Sequence, residues 1–169
     1  MVFTLQIPNI KTGLGFDSHQ FQANKKLILG GIEIPFDKGL KGHSDGDVLI
    51  HAIIDSLLGA AGLNDIGEYF PPTDKSIENI NSVFMLKEIC KILKENQWEI
   101  INLDCVLICE KPKISDYKQK IIINLAQEMG IKEKQINLKG KTAEKMGSLG
   151  REEGIACLVN CLIYFSGAL

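Results

Sequence analysis

Asp47-Val48-Leu49-Ile50-His51-Ala52-Ile53-Ile54-Asp55-Ser56-Leu57-Leu58-Gly59-Ala60-Ala61-Gly62 is the stretch on which the architecture turns. Its apolar residues (Val48, Ile50, Ala52, Ile53, Leu57 and Leu58) fall on more than one side of a helix, and a helix apolar nearly all round is buried. Ser44 or Asp45 is suited to cap its start, and Gly62 closes it. The polar members Asp47, His51 and Asp55 are spaced by four and form one stripe. In such a stripe a carboxylate one turn away can hold the second nitrogen of the imidazole.

Outward from this helix, strands and helices alternate. Residues 3–9 read as a first strand ending near the Gly13-x-Gly15 turn, and 27–35 as a strand bent or bulged at Gly30-Gly31. Residues 62–80 read as a Gly-, Pro- and Asp-rich loop. A helix at about 81–96, a strand at about 99–109, a turn through Lys111-Pro112-Lys113 and a helix at about 115–128 ended by Gly130 follow. Strands at about 135–140 and 154–165 close the chain. The expected fold is α+β: one mixed sheet with helices packed on one face, in a single domain spanning 1–169.

A net charge of −2 provides no broad basic footprint for nucleic acid. No apolar run is long and charge-free enough to span a bilayer, and the start lacks a secretory signal, so a cytoplasmic location, or an organellar stroma, is expected. The odd count of five cysteines (Cys90, Cys105, Cys109, Cys157, Cys161) argues against a disulfide framework. Within strands, residues four apart lie about 13 Å from each other, too far for Cys105/Cys109 or Cys157/Cys161 to share a zinc. They read as reduced core residues.

The chemistry concentrates elsewhere. The chain has three histidines, and two of them enter one candidate metal set. In Gly15-Phe16-Asp17-Ser18-His19 an extended backbone puts Asp17 and His19 on the same face. His51 from the helix would complete a His-His-carboxylate site whose open fourth position suits catalysis. His43-Ser44-Asp45-Gly46-Asp47 precedes a helix start, where phosphate is attracted. In Lys139-Gly140-Lys141-Thr142-Ala143-Glu144-Lys145-Met146-Gly147, Thr142 can donate to a phosphoryl oxygen and Glu144 can ligate a hard cation; Arg151 can clamp a phosphate. Neither a P-loop nor a dinucleotide fingerprint is present, and no nucleophile elbow or cysteine–histidine pairing appears. Cations and donors remain, the parts phosphoryl transfer uses. On the residues alone, a zinc hydrolase and a non-catalytic nucleotide-binding module stay open beside it.

Eight motifs in order carry a resemblance: Gly15-Phe16-Asp17-Ser18-His19, Leu29-Gly30-Gly31-Ile32, His43-Ser44-Asp45-Gly46-Asp47, Asp65-Ile66-Gly67, Phe70-Pro71-Pro72-Thr73-Asp74, Lys111-Pro112-Lys113, Thr142-Ala143-Glu144-Lys145-Met146-Gly147 and Gly150-Arg151-Glu152-Glu153-Gly154-Ile155-Ala156. From about residue 12 to the end the chain resembles the 2-C-methyl-D-erythritol 2,4-cyclodiphosphate synthase family. The resemblance implies conversion of 4-diphosphocytidyl-2-C-methyl-D-erythritol 2-phosphate to the cyclic diphosphate with release of CMP, a step of non-mevalonate isoprenoid synthesis. It implies Asp17, His19 and His51 as zinc ligands, and Glu144 as ligand of a second cation, Mg²⁺ or Mn²⁺, on the diphosphate. His43 and Ser44 would cover the substrate phosphates, with His43 and Thr142 stabilising the transferring phosphoryl group. Asp65, Ile66, Gly67, Phe70, Pro71, Pro72, Thr73 and Asp74 would hold the methylerythritol. Cys109, Glu110, Lys111, Pro112, Lys113, Ile114 and Ser115, with Lys141, Thr142, Ala143 and Glu144, would form the cytidine pocket. Ser148 and Arg151 would complete the substrate contacts. A homotrimer is implied, sheets toward its centre and active sites between subunits. Lys141, Ala143 and Ser148-Leu149 depart from the common family pattern, and residues 1–11 extend beyond the usual start.

Overall fold

A computed structural model describes residues 9–42, 44–71 and 80–167 of the chain. In chain order the strands and helices are β1 (Ile10–Ala23), β2 (Leu27–Leu29), β3 (Ile32–Ile34), β4 (Lys38–Leu40), α1 (Val48–Ala61), α2 (Ile66–Tyr69), α3 (Ser82–Glu95), β5 (Trp98–Ile108), α4 (Lys118–Met129), β6 (Ile136–Lys141), α5 (Gly147–Gly150) and β7 (Gly154–Phe165). The main sheet has the order β4-β1-β7-β5-β6, with β5 and β6 parallel and the other pairs antiparallel. It is the expected mixed sheet. A separate hairpin joins β2 and β3.

The long helices cover one face of the sheet. Helix α1 lies on β1 and β7, α3 packs on α1 and β5, and α4 packs on α3 and β6. The core between the layers is aliphatic: Leu49, Ile50, Ile53, Ile54, Leu57 and Leu58 of α1 are fully buried, as are Leu103, Leu107, Val159 and Ile163 of the sheet. The expectation of a helix buried nearly all round therefore holds. The cysteines are free, and four of the five are buried. Burial pushes the thiols of Cys90 and Cys105 up to about 12 and that of Cys109 to about 11, which keeps them protonated and inert. Burial also pushes up those of Cys157 and Cys161.

Four details correct the sequence reading. The first described strand runs from Ile10, and Gly13-x-Gly15 lies inside it rather than in a turn; residues 3–8 of the expected strand lie outside the described residues. The physical reason is the seat of α1. A Cβ on Gly13 would stand 1.9 Å from the Ser56 carbonyl oxygen, and one on Gly15 would stand 2.0 Å from that of Ala52. Second, 27–35 is a hairpin, not one bent strand: Gly30 and Gly31 adopt φ of +60° and +77°, the pair of left-handed conformations a two-residue turn requires. Third, the cap of α1 is Asp47, whose carboxylate accepts from the Leu49 and Ile50 N–H groups. Ser44 and Asp45 instead accept from Gly46 and Asp47 N–H in the approach to the helix. Fourth, the loop after Gly62 contains the short α2, and α4 begins at Lys118 after a single 3-10 turn at Ile114–Asp116.

Among the described residues nothing covers the other face of the sheet. Leu14 is 69% exposed and Phe16 is 56% exposed, and Phe16 pairs with the exposed Leu158 of β7. Among the described residues no helix is long and apolar enough to cross a membrane.

Gly15→Ala is expected to destabilise the fold by about 3 kcal/mol, because a backbone carbonyl in a packed helix cannot yield to a methyl group. Chemical denaturation of the purified variant measures it.

Candidate active site

β1 and α1 build the centre of the site. Odd-numbered residues of β1 face the helix layer, so Asp17 and His19 follow Gly13 and Gly15 along the same face. His51 stands on α1 one turn past its cap. Asp17 Oδ2 lies 2.9 Å from His19 Nε2 and 3.0 Å from His51 Nδ1, and the two nitrogens are 3.2 Å apart. A tetrahedral zinc with bonds of about 2.0–2.1 Å holds its ligand atoms about 3.3 Å apart. The observed triangle is close to one face of that tetrahedron, and all three side chains are half-buried. The donor set, two imidazoles and one carboxylate, suits zinc and leaves the fourth position open.

The electrostatics keep Asp17 anionic, the form that ligates a cation. Burial raises the Asp17 carboxyl, yet hydrogen bonds and positive charge from His19 and His51 outweigh it and hold the group well below the usual carboxylate range. Burial lowers the His19 imidazole, but the Asp17 hydrogen bond and charge, helped by a backbone hydrogen bond with Lys41, raise it overall.

The stripe on α1 behaves differently from the sequence reading. The Asp47 carboxylate is not the partner of the His51 ring: its oxygens accept from Gly30, Gly31, Leu49 and Ile50 N–H groups and clamp the β2–β3 turn to the helix start. Asp55 accepts from the Ile66 N–H at 3.0 Å and so anchors α2. Burial, with the nearby Asp65 and Asp17 charges, pushes its carboxyl up. The second nitrogen of His51 is held instead by Ser82 Oγ at 3.0 Å, with Ser44 Oγ at 3.3 Å. Ser82 is fully buried at the start of α3, and both its N–H and its hydroxyl donate to Asp45. Sequence reasoning missed Ser82, because a serine beside Asn81 at a helix start reads as capping; the cap there is Asn81.

Asp65 caps α2 and accepts from Gly67 N–H at 2.9 Å, so Asp65, Ile66 and Gly67 are presented through Asp55, one turn beyond His51. Phe70 and Pro71 follow, half-buried. His43, Pro72, Thr73 and Asp74 lie outside the described residues.

A second feature opens at the ends of β5 and β6: a cleft of about 460 Å³. The expected residues Cys109, Glu110, Pro112, Lys113, Ile114, Ser115, Lys141 and Thr142 line it. Lys118, Leu138, Lys139 and Gly140 line it too and were not foreseen, since their side of the cleft is created by β6 and the first turn of α4. Lys111, Ala143 and Glu144 stand outside the lining. Glu110 Oε1 accepts from the Ala143 and Lys145 N–H groups at 3.0 and 3.1 Å, which ties the 142–146 turn to the end of β5. Within that turn Glu144 and Lys145 adopt φ of +50° and +62°, and the Glu144 carboxylate accepts from the Thr142 hydroxyl. Ser148 is exposed, and Arg151 Nε donates to Glu153 at 2.6 Å.

The structure does not bring Glu144 to the Asp17–His19–His51 cluster. Asp17 pairs with Cys157, Cys157 with Leu107, and Leu107 with Gly140 in one row across the sheet. Three strand spacings, about 14 Å, separate the cluster from the cleft along that row. Buried Cys157 and Leu107 fill the interval.

A two-layer α+β fold with an Asp/His/His cluster suited to a metal ion and a separate cleft of about 460 Å³ defines a class, that of enzymes acting on a small substrate. The pattern of the YgbB family matches residues 10–164, and the chain belongs to that family. It is 51% identical over 154 residues to the 2-C-methyl-D-erythritol 2,4-cyclodiphosphate synthase of Clostridium novyi (strain NT), covering 91% of this chain and 98% of that one. Among solved structures it is similar to the bifunctional IspDF of Campylobacter jejuni, with a TM-score of 0.90 and 43% identity over 94% of this chain; the match spans only 43% of that longer protein. It is also similar to IspF of Plasmodium falciparum in its CDP complex, with a TM-score of 0.84 and 36% identity, covering 96% of this chain and all of the other.

Proposed function

We infer that this chain catalyses the reaction for which its curated relatives are named. It converts 4-diphosphocytidyl-2-C-methyl-D-erythritol 2-phosphate into 2-C-methyl-D-erythritol 2,4-cyclodiphosphate and CMP, in non-mevalonate isoprenoid synthesis. The observation that carries the reading is the convergence of Asp17 Oδ2, His19 Nε2 and His51 Nδ1 on one point, in a chain of this family.

The chemistry follows from the parts. The nucleophile is the substrate's own 2-phosphate, attacking the β-phosphorus while the bond to the CMP phosphate breaks. A phosphate monoester with a second pKa of about 6 is mostly dianionic at neutral pH, so it needs no strong general base. The obstacle is repulsion between two anionic groups and their alignment. Zn²⁺ held by Asp17, His19 and His51, and Mg²⁺ or Mn²⁺ held by Glu144, would supply Lewis acidity and a template on the diphosphate. Thr142 and Lys141 donate to the departing CMP phosphate. His43 and Ser44 close over the phosphates at the approach to α1, and Arg151 contributes a further cation. The segment from Asp65 to Asp74 bends the methylerythritol toward the reacting phosphorus. The cleft of Cys109 to Ser115 takes the cytosine nucleoside, a reading supported by the CDP found with the Plasmodium falciparum relative.

Cluster and cleft are separated by filled core in a single chain, so one substrate bridges the cluster of one subunit and the cleft of another. The bare sheet face, with Leu14, Phe16 and Leu158, supplies the apolar surface for a homotrimer with sheets toward its axis.

Incubation with the substrate distinguishes this reaction from zinc-dependent hydrolysis: the cyclic diphosphate carries no oxygen from ¹⁸O-labelled water, and a labelled linear product would refute the cyclase. His51→Ala is expected to lose its zinc and at least about 100-fold in turnover while still assembling; metal analysis and CMP release check it. Glu144→Gln should abolish the Mg²⁺ or Mn²⁺ dependence together with most turnover, and a titration of rate against added cation reads it. Phe16→Glu should shift the species seen by size-exclusion chromatography with light scattering from trimer to monomer.

A further inference from the structure

His51 presents Nδ1 to the cluster and Nε2 to Ser82, and a neutral imidazole carries its proton on one nitrogen or the other. Which one it is decides whether Nδ1 offers a lone pair to a cation. With no cation bound, Asp17 Oδ2, 3.0 Å from Nδ1, accepts a proton there; once a cation takes that place, the surroundings of Ser82 set the direction. Both Asp45 oxygens accept backbone N–H groups, Oδ1 from Asp47 at 3.2 Å and Oδ2 from Ser82 at 3.0 Å. Its Oδ1 also accepts from the Ser82 hydroxyl. A serine hydroxyl has one proton, and a carboxylate accepting on both oxygens has none to return. With that proton committed to Asp45, Ser82 Oγ has only lone pairs left for His51. Ser44 Oγ, farther away and already accepting from Gly46 N–H, has an uncommitted proton and would leave either tautomer open by itself.

We propose that Ser82 and Asp45 are positioning residues for the metal ligand His51, forming the directed chain His51 Nε2–H to Ser82 Oγ–H to Asp45 that turns the Nδ1 lone pair to a cation shared with Asp17 and His19. The relay also fixes the plane of the ring from a third element. Cβ of His51 is set by α1, and the far nitrogen is set by the first turn of α3. The Asp45 carboxylate is held there by the free N–H of Ser82 and the positive end of that helix. A negative charge at the end of the chain strengthens each bond in it and makes Nδ1 a better donor to a cation. Ser82 touches no substrate in this scheme, and its effect passes through His51.

The inference rests on the metal reading above, and the experiment separates the two. Nitrogen-15 NMR of the full-length, zinc-loaded chain should show a His51 Nε2–H that is slow to exchange with solvent, as a proton held in a hydrogen bond to Ser82 is. An Nε2–H that exchanges as freely as that of a solvent-exposed imidazole would overturn the proposal whatever any variant does. Ser82→Ala should bind Zn²⁺ about 10–100-fold more weakly than the wild type in competition with a chromogenic chelator, and its zinc-bound His51 should lose that slow exchange. Wild-type affinity with unchanged Nε2–H exchange in Ser82→Ala would sink this inference while sparing the metal site. A wild-type chain with no zinc affinity would sink the metal reading instead. If Ser82→Ala fails to fold, the wild-type spectrum alone decides.

Discussion

The contact on which the molecule depends is the backbone-to-backbone seat of α1 on β1. Gly13 lies under the helix at Ser56 and Ala60, and Gly15 lies under it at Ala52 and Ser56. Two residues along a strand advance about 6.7 Å, and four along a helix advance about 6 Å, so strand and helix march past each other nearly in step. The next residue on that face, Asp17, therefore falls beside His51, and His19 lies just beyond. Without side chains at 13 and 15 the helix sits low enough for the imidazole of one element to reach the carboxylate of the other. A methyl group at either position would lift α1 and open the triangle of ligand atoms. Packing and chemistry are thus set by the same pair of glycines.

Around that seat, acidic residues are distributed between structural and chemical duties. Asp47 is consumed by four backbone N–H groups, two from the Gly30–Gly31 turn and two from α1, so it locks a hairpin to the helix that carries His51. Asp45 is consumed by the start of α3, and Asp55 by the start of α2. Asp17 alone turns its carboxylate to the imidazoles. Three helix starts, those of α1, α2 and α3, are held in this way by acidic residues within α1 or just before it. Free N–H groups at helix starts need acceptors, and the acidic residues near His51 provide them.

Much of this could be read from residues in order. The apolar run from Val48 to Leu58 is too evenly apolar to be a surface helix, and Gly62 and Gly130 end helices with positive φ as expected. Alternation along an extended Asp17-Ser18-His19 needs only the pleat of a strand. The cleft residues from Cys109 to Ser115 follow a strand end, where loops gather. What failed had a common cause. Gly13-x-Gly15 and Gly30-Gly31 look alike as punctuation, yet one pair lets a helix approach and the other turns a hairpin. The difference lies in what packs against the glycine, which is not a local property. The stripe Asp47, His51, Asp55 was spaced correctly for mutual contact, but nearby backbone N–H groups are stronger claimants on a carboxylate than a ring one turn away.

The periodicities, the helix ends, the α+β alternation and the types of ligand atom available were legible in residue order, because these depend on spacing and on chemistry carried by each residue. Packing in three dimensions is what brings Asp17, His19 and His51 to within 3.2 Å, backs His51 with Ser82, and leaves Glu144 apart from them in the same chain. Those are relations between residues 31 to 34 or more positions apart, set by how closely two backbones pack and by which free N–H group finds which carboxylate.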